Sequence, residues 1–133
     1  EMPDVYKSTG HCIIDLGDDN FTRGKAHPMI DPAYRSERML QEIADPDAGL
    51  IIFDVVLGYG SHLDMAGEMV AAIEEGRKKS GRKPLLAACI CGTREDPQNY
   101  AQQQKILEDA GTKVFPTNVA MVSFARHCLE RNK

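Results

Sequence analysis

At 133 residues the chain has the size of one domain, large enough to bury roughly two thirds of the surface its unfolded form exposes. Its formal net charge of −4 gives no electrostatic reason to expect nucleic acid as a partner. The basic cluster Arg77-Lys78-Lys79, with Arg82 and Lys83, sits where a helix should end, facing the negative pole of its dipole. No apolar run reaches the roughly 18 to 20 residues of a membrane helix. The start Glu1-Met2-Pro3-Asp4 is not a signal peptide. A cytoplasmic protein with no membrane partner is therefore expected, and the initial Glu suggests a piece excised from a larger protein.

Residues 1 to 10 show no period and are expected to form an extended lead-in to one domain over residues 11 to 133. The run Cys12-Ile13-Ile14-Asp15-Leu16 predicts a first strand over about 11 to 16, followed by a polar loop from Gly17 to Ile30. Asp31 suits an N-cap and Pro32 the first helical position. The helix they start should run to Ala44, with Tyr34, Met39, Leu40 and Ile43 on its apolar face. Asp45-Pro46-Asp47 ends it, because the residue before a proline is pushed out of helical geometry.

The most apolar run, Leu50-Ile51-Ile52-Phe53-Asp54-Val55-Val56-Leu57, predicts a second strand over about 50 to 57, buried on both faces as in a parallel sheet. A helix should begin at Asp64, with Met65, Met69, Val70 and Ile73 as its core stripe. The third strand is expected over about 85 to 91, and Asp96-Pro97 reads as another helix start. Tyr100, Ile106 and Leu107 belong to that helix, which Gly111 can terminate. A short strand at 113 to 115 and a last helix capped by Asn118 complete the pattern. Four strands alternating with four helices predict an α/β three-layer sandwich, with a parallel sheet and helices on both faces.

Each long strand ends in glycine and polar groups, and in open α/β sheets ligands bind outside the carboxyl ends of the strands. Gly58-Tyr59-Gly60 resembles part of a phosphate-binding turn but lacks the third glycine of the dinucleotide fingerprint, and a tight strand-to-helix turn explains it equally well. Cys91-Gly92-Thr93 occupies the equivalent place after the third strand. A thiol near a helix N-terminus can ionise readily, so Cys91 is a candidate nucleophile with His62 as its base, against the plain reading of a small apolar residue. Asp15, Asp18, Asp19 and Asp54 either hold Mg²⁺ through waters or cap loops. Asp15 and Asp54 lie in apolar runs and need a partner such as Arg23, Lys25, Arg35 or a loop N–H. Arg35 itself should meet an anionic ligand or pair with Asp31. The cysteines at 12, 89, 91 and 128 lie in apolar contexts and read as reduced thiols. Cys89-x-Cys91 lacks the second ligand pair of a zinc site, so no metal centre is expected.

Taken together, Asp15-Leu16-Gly17-Asp18-Asp19, His27-Pro28-Met29-Ile30-Asp31-Pro32, Asp54 to Gly60, Cys91-Gly92-Thr93 with Asp96-Pro97-Gln98, and Pro116-Thr117-Asn118 resemble the FdrA family of acyl-CoA-synthetase-like proteins. These proteins are similar to the succinyl-CoA synthetase α subunit, and the resemblance implies a flavodoxin-like CoA-ligase-type domain with strand order 2-1-3-4. It does not carry over the synthetases' mechanism, because no histidine stands in the loop after the third strand and the supporting glutamate's place falls near Val56-Leu57. The resemblance further implies a subunit of a carbamoyl-transferring complex in allantoin and purine-nitrogen breakdown, acting on small anions such as oxamate or oxalurate. The expected ligand-binding residues are Asp15, Gly17, Asp18, Arg35, Asp54, Gly58, Gly60, Gly92, Thr93 and Asn118, with Arg23 or Arg94 as further counter-charges. CoA, a nucleotide or Mg²⁺ are expected only in a full-length protein, together with other domains or subunits and an oligomeric state. The rival reading is a non-catalytic docking module derived from a ligase. A receiver-like phosphoacceptor is weaker still, because no lysine ends a late strand.

Overall fold

The structure, a computed structural model, describes residues 4–130. In chain order the elements are α1 (Asp19–Thr22), α2 (Ala33–Ala44), β1 (Leu50–Val56), α3 (Met65–Ser80), β2 (Leu85–Cys91), α4 (Tyr100–Asp109), β3 (Lys113–Phe115) and α5 (Asn118–Glu130). Among the described residues the sheet has three strands in the order β1-β2-β3, all parallel. Leu50 pairs with Leu85 and Val56 with Cys91, while Cys89 pairs with Phe115. Parallel neighbours need a crossover, and α3 and α4 supply them. The α/β class is as expected, and helices on both faces make it consistent with a flavodoxin-like sandwich.

Alternation along the strands sorts the core into two layers. Val55 of β1 and Leu86, Ala88 and Ile90 of β2 meet Met39 and Ile43 of α2, Met65, Met69 and Ile73 of α3, and Leu107 of α4. Ile43, Ile73 and Leu107 are fully buried there. Gly76 lets α2 and α3 close on one another, since a Cβ at that position would come within 3.1 Å of Ile43 Cγ2. On the other face α5 is the one helix laid down among the described residues: Met121 packs on Ala87 and Cys89, with Leu50, Phe115 and Phe124 partly buried around them.

The first expected strand is not formed. Residues 12 to 15 have no ladder partner and Ile13 is fully exposed. Order 2-1-3-4 placed that strand between the second and third, yet β1 and β2 pair directly along their whole length, so the position is closed. Nor is the lead-in simply extended. From Asp4 onward it turns back over α2, where the Arg38 guanidinium donates to Val5 O at 3.1 Å and to Ser8 Oγ at 2.8 Å. The same guanidinium pairs with Glu42 at 2.6 Å, and Tyr6 stacks edge-on against Phe21 of α1. Residues 1–3 of the lead-in lie outside the described residues.

Helix starts also differ from expectation. Asp96-Pro97 does not open α4, which begins three residues later behind Asn99, whose side chain accepts the N–H of Gln102. Asn118 does not cap α5. Thr117 does, its Oγ1 accepting from Ala120 N at 3.1 Å. Asp64 behaves as an N-cap should, accepting from Gly67 N, whereas in α2 the N-cap position is taken by Pro32, and Asp31 before it accepts from Ala33 N. Gly81, in the left-handed region at φ 71°, ends α3 behind the basic turn Arg77, Lys78 and Lys79.

Candidate functional site

Because β1, β2 and β3 are parallel and adjacent, their carboxyl ends share one rim. It carries Gly58, Gly60, Ser61 and His62 after β1, Gly92, Thr93 and Arg94 after β2, and Thr117 and Asn118 after β3. The loop from Gly17 to Ile30 reaches this rim, where His62 N donates to Met29 O at 2.8 Å. Tertiary structure thus brings the expected Gly58, Gly60, Gly92, Thr93 and Asn118 to one edge, whereas Asp15, Gly17 and Asp18 lie in or just after a segment that joins no strand.

The first two turns are fastened to one another by a side chain for which no role of its own was expected from the sequence. Gln98, 5% exposed, accepts from Gly58 N at 3.0 Å and donates to Gly58 O at 2.7 Å. Its Nε2 also lies 3.4 Å from His62 O. Gly58 has φ 124°, a conformation only glycine adopts readily. Next to it the Asp96 carboxylate accepts from Thr93 N at 2.5 Å, and a Cβ at Gly92 would fall 2.7 Å from Leu57 Cβ and 3.0 Å from Asp96 Oδ2. Gln103, 2% exposed, makes a matching clamp at the start of α3, accepting from Ala66 N and donating to Asp64 Oδ1. Polar residues in a segment read as a helix start gave no signal of these roles. Only a partner about 40 residues away makes them clamps.

These bonds decide what the rim can take. The N–H groups of Gly58 and Thr93 are already used, and a carboxylate stands between Gly58 and Gly92. A phosphate at Gly58 N or Thr93 N would have to displace these bonds and would meet the Asp96 carboxylate. Tyr59 and Gly60 make no backbone bond through their N–H groups among the described residues. Arg94, exposed, makes no ion pair or hydrogen bond there either. It lines an open groove of about 420 Å³ with Asn99, Tyr100, Ala101 and Gln104. A smaller hollow of about 130 Å³ continues past Tyr100 and Gln104 to Val114, Phe115 and Pro116.

The acidic residues are spent locally. Asp15 Oδ1 accepts from Gly17 N at 2.8 Å, and Asp18 caps α1 through Asn20 N at 2.9 Å. Asp19 lies in the first turn of that helix. Arg35 does not pair with Asp31. Its guanidinium reaches around the edge of β1 to the backbone oxygen of Asp54 and, at 3.3 Å, to the Asp54 carboxylate. Among the described residues no group of three or more His, Cys, Asp and Glu side chains is arranged to hold a metal ion.

Cys91 lies exposed at the end of β2, whereas Cys89 is buried beneath α5. Burial first, and then the negative charge of Asp54, push the Cys89 thiol up from its ordinary value of 9.0. His62 Nδ1 accepts from Asp64 N at 3.2 Å, and no hydrogen bond joins it to Cys91 among the described residues. The pair is not assembled as nucleophile and base.

A family model described as CoA-ligase matches residues 4–127. The uncharacterized protein YahF of Escherichia coli (strain K12) is 41% identical over 113 residues, which are 83% of this chain and 22% of YahF. The chain therefore spans about a fifth of the length of that relative. With a model match over nearly all of the described residues, on an α/β fold whose parallel strands end at one rim, the chain belongs to the CoA-ligase family.

Proposed function

We propose that this is the CoA-ligase-type domain of an FdrA-like cytoplasmic protein, contributing a binding surface for a small anionic acyl or carbamoyl substrate to a larger, oligomeric enzyme. The observation that carries the reading is Arg94, a guanidinium with no partner among the described residues, at the shared rim beside an open groove and near turns where Gly58 N and Thr93 N are already bonded. Guanidinium groups bind carboxylate or phosphate with two parallel hydrogen bonds. Asn99 adds an amide to that wall and Tyr100 an aromatic face. That no hydrogen bond joins Cys91 and His62 among the described residues, and that the loop after β2 holds no histidine, supports a role in binding and orientation.

Calorimetry with carbamoyl phosphate, oxamate, oxalurate and CoA tests this. Binding of one of the small anions, weakened at least tenfold by Arg94→Ala, is expected. Equal affinity in the variant, or no heat from any of these ligands, removes the reading. The second reading, a docking module, is favoured by a different observation: the face under α5 leaves Ile52, Val122 and Leu129 40%, 48% and 44% exposed. Under that reading Ile52→Lys changes oligomer size and Arg94→Ala changes nothing.

A further inference from the structure

The groove beside Arg94 is larger and less polar than a small anion requires. At about 420 Å³ it lies within the range of pockets that enclose drug-sized molecules. It continues into the hollow of about 130 Å³, because Tyr100 and Gln104 line both. The four-residue step from Tyr100 to Gln104 covers about 6 Å along α4. A molecule that reaches from Arg94 into the second hollow is therefore longer than a two-carbon acid.

The two ends differ in chemistry. At the first, Arg94 is the one cation among the lining residues of either hollow, and Glu95 and Asp96 follow it in the chain. A single guanidinium matches one carboxylate through two parallel hydrogen bonds, whereas a dianion would be repelled twice as strongly by the neighbouring acids. Asn99, in the left-handed region at φ 59°, spends its Oδ1 on Gln102 N at 3.2 Å, and its Nδ2 group has no partner among the described residues. At the second end the walls include Val114 and Pro116. Tyr100 joins the two: it is partly buried against the core layer that holds Leu107, which fixes its ring as a wall of both hollows.

We propose that the groove takes a monocarboxylic acid bearing an aromatic ring, with its carboxylate on Arg94 and its ring against Tyr100 in the hollow bounded by Val114 and Pro116. This deepens the anion reading, on which it rests, by naming the substrate class. Offset or edge-on contact with Tyr100 favours an aromatic ring over a saturated one, and the ring removes apolar surface of the hollow from water. An oxalyl or carbamoyl group engages Arg94 alone and leaves the second hollow unused.

Calorimetry of this chain with oxamate, propionate, 3-phenylpropionate, 3-cyclohexylpropionate and phenyl phosphate tests it. 3-Phenylpropionate should bind at least tenfold more tightly than propionate or oxamate, and more tightly than its cyclohexyl analogue. Arg94→Ala should weaken it at least tenfold. Tyr100→Phe should leave its affinity within twofold, and Tyr100→Leu should lower it toward that of propionate. Nuclear Overhauser effects between the ring protons of 3-phenylpropionate and the Val114 methyl groups should appear in the unsubstituted chain, and they serve if Tyr100→Leu does not fold. Equal affinity for propionate and 3-phenylpropionate, with both weakened by Arg94→Ala, overturns the proposal and keeps the anion reading. Silence from every probe removes both. Tighter binding of phenyl phosphate or of the cyclohexyl acid, or ring contacts that miss Val114, overturns the proposal as well.

Discussion

The two faces of the sheet are built to different degrees of completion. Under α2, α3 and α4 the side chains interlock to full burial, with Ile43, Val55, Ile73 and Leu107 at 0% exposure. Under α5 the layer is one helix wide, and β1 keeps a half-open apolar residue, a charged one and an unpaired edge. The difference teaches where stability resides and where this domain is available to something else. A face closed by three helices gains little from a partner, whereas each apolar residue left in water on the other is about 25 cal/mol per Å² of unrealised burial.

The sharpest way to break this comparison is to shorten the same side chain on each face. Ile43→Ala should cost about 2–5 kcal/mol by chemical denaturation, the range for emptying a close-packed site. Ile52→Ala, at 40% exposure, should cost less than about 1 kcal/mol. Equal costs would show that the faces are equally packed.

Arg38→Met is expected next in size, about 3 kcal/mol, because it strands Glu42 beneath the segment around Val5 and Ser8. Arg38→Met combined with Glu42→Leu should recover most of that loss, as a melting series of the three proteins would read. Gln98→Leu should cost about 1–3 kcal/mol by leaving Gly58 N and O unpaired. It should also raise amide exchange at residues 58 to 62 and leave α2 untouched.

Smaller effects belong to the α5 face. The Cys89 thiol is raised above its unfolded value of 9.0, so its contribution to stability is whole below about pH 9 and is lost as pH climbs toward the folded value. Iodoacetamide at pH 8 should therefore label Cys91 well before Cys89, and Cys89→Ala should flatten the alkaline fall in melting temperature. Asp54→Asn, removing a charge whose side chain is 52% exposed, should change stability by less than about 1 kcal/mol. That loss should shrink further in 1 M salt.

The elements legible in the sequence are those whose signal is local. Asp64 before Met65, Met69 and Ile73 marked α3. Leu50 to Val56 announced a strand by its unbroken apolar run, and the basic turn before Gly81 marked a helix end. What misled was equally local. Asp96-Pro97 has the composition of a helix start, but Asp96 turns its carboxylate to Thr93 N and Pro97 falls in the turn. Arg38 and Glu42 drew no reading from the sequence, and the lead-in lying across them helps to bury the pair. At the rim, the glycines after β1 and β2 were visible from their position after apolar runs, while Gln98 and Asp96, which fill the space between them, were not.

By itself the sequence determined the alternation of helix and strand, the parallel sense of the sheet and the clustering of its polar ends. Those follow from periodicity and from the geometry of right-handed crossovers. Tertiary structure alone decided which donors at the rim remain unspent and which apolar run stays out of the sheet. Both depend on contacts between residues far apart in the chain: Gln98 with Gly58, Asp54 with Arg35, and β1 with β2 rather than with residues 11 to 16. No local pattern encodes a partner 40 residues away, so the competition for a hydrogen bond or a sheet edge is settled only when the whole chain has packed.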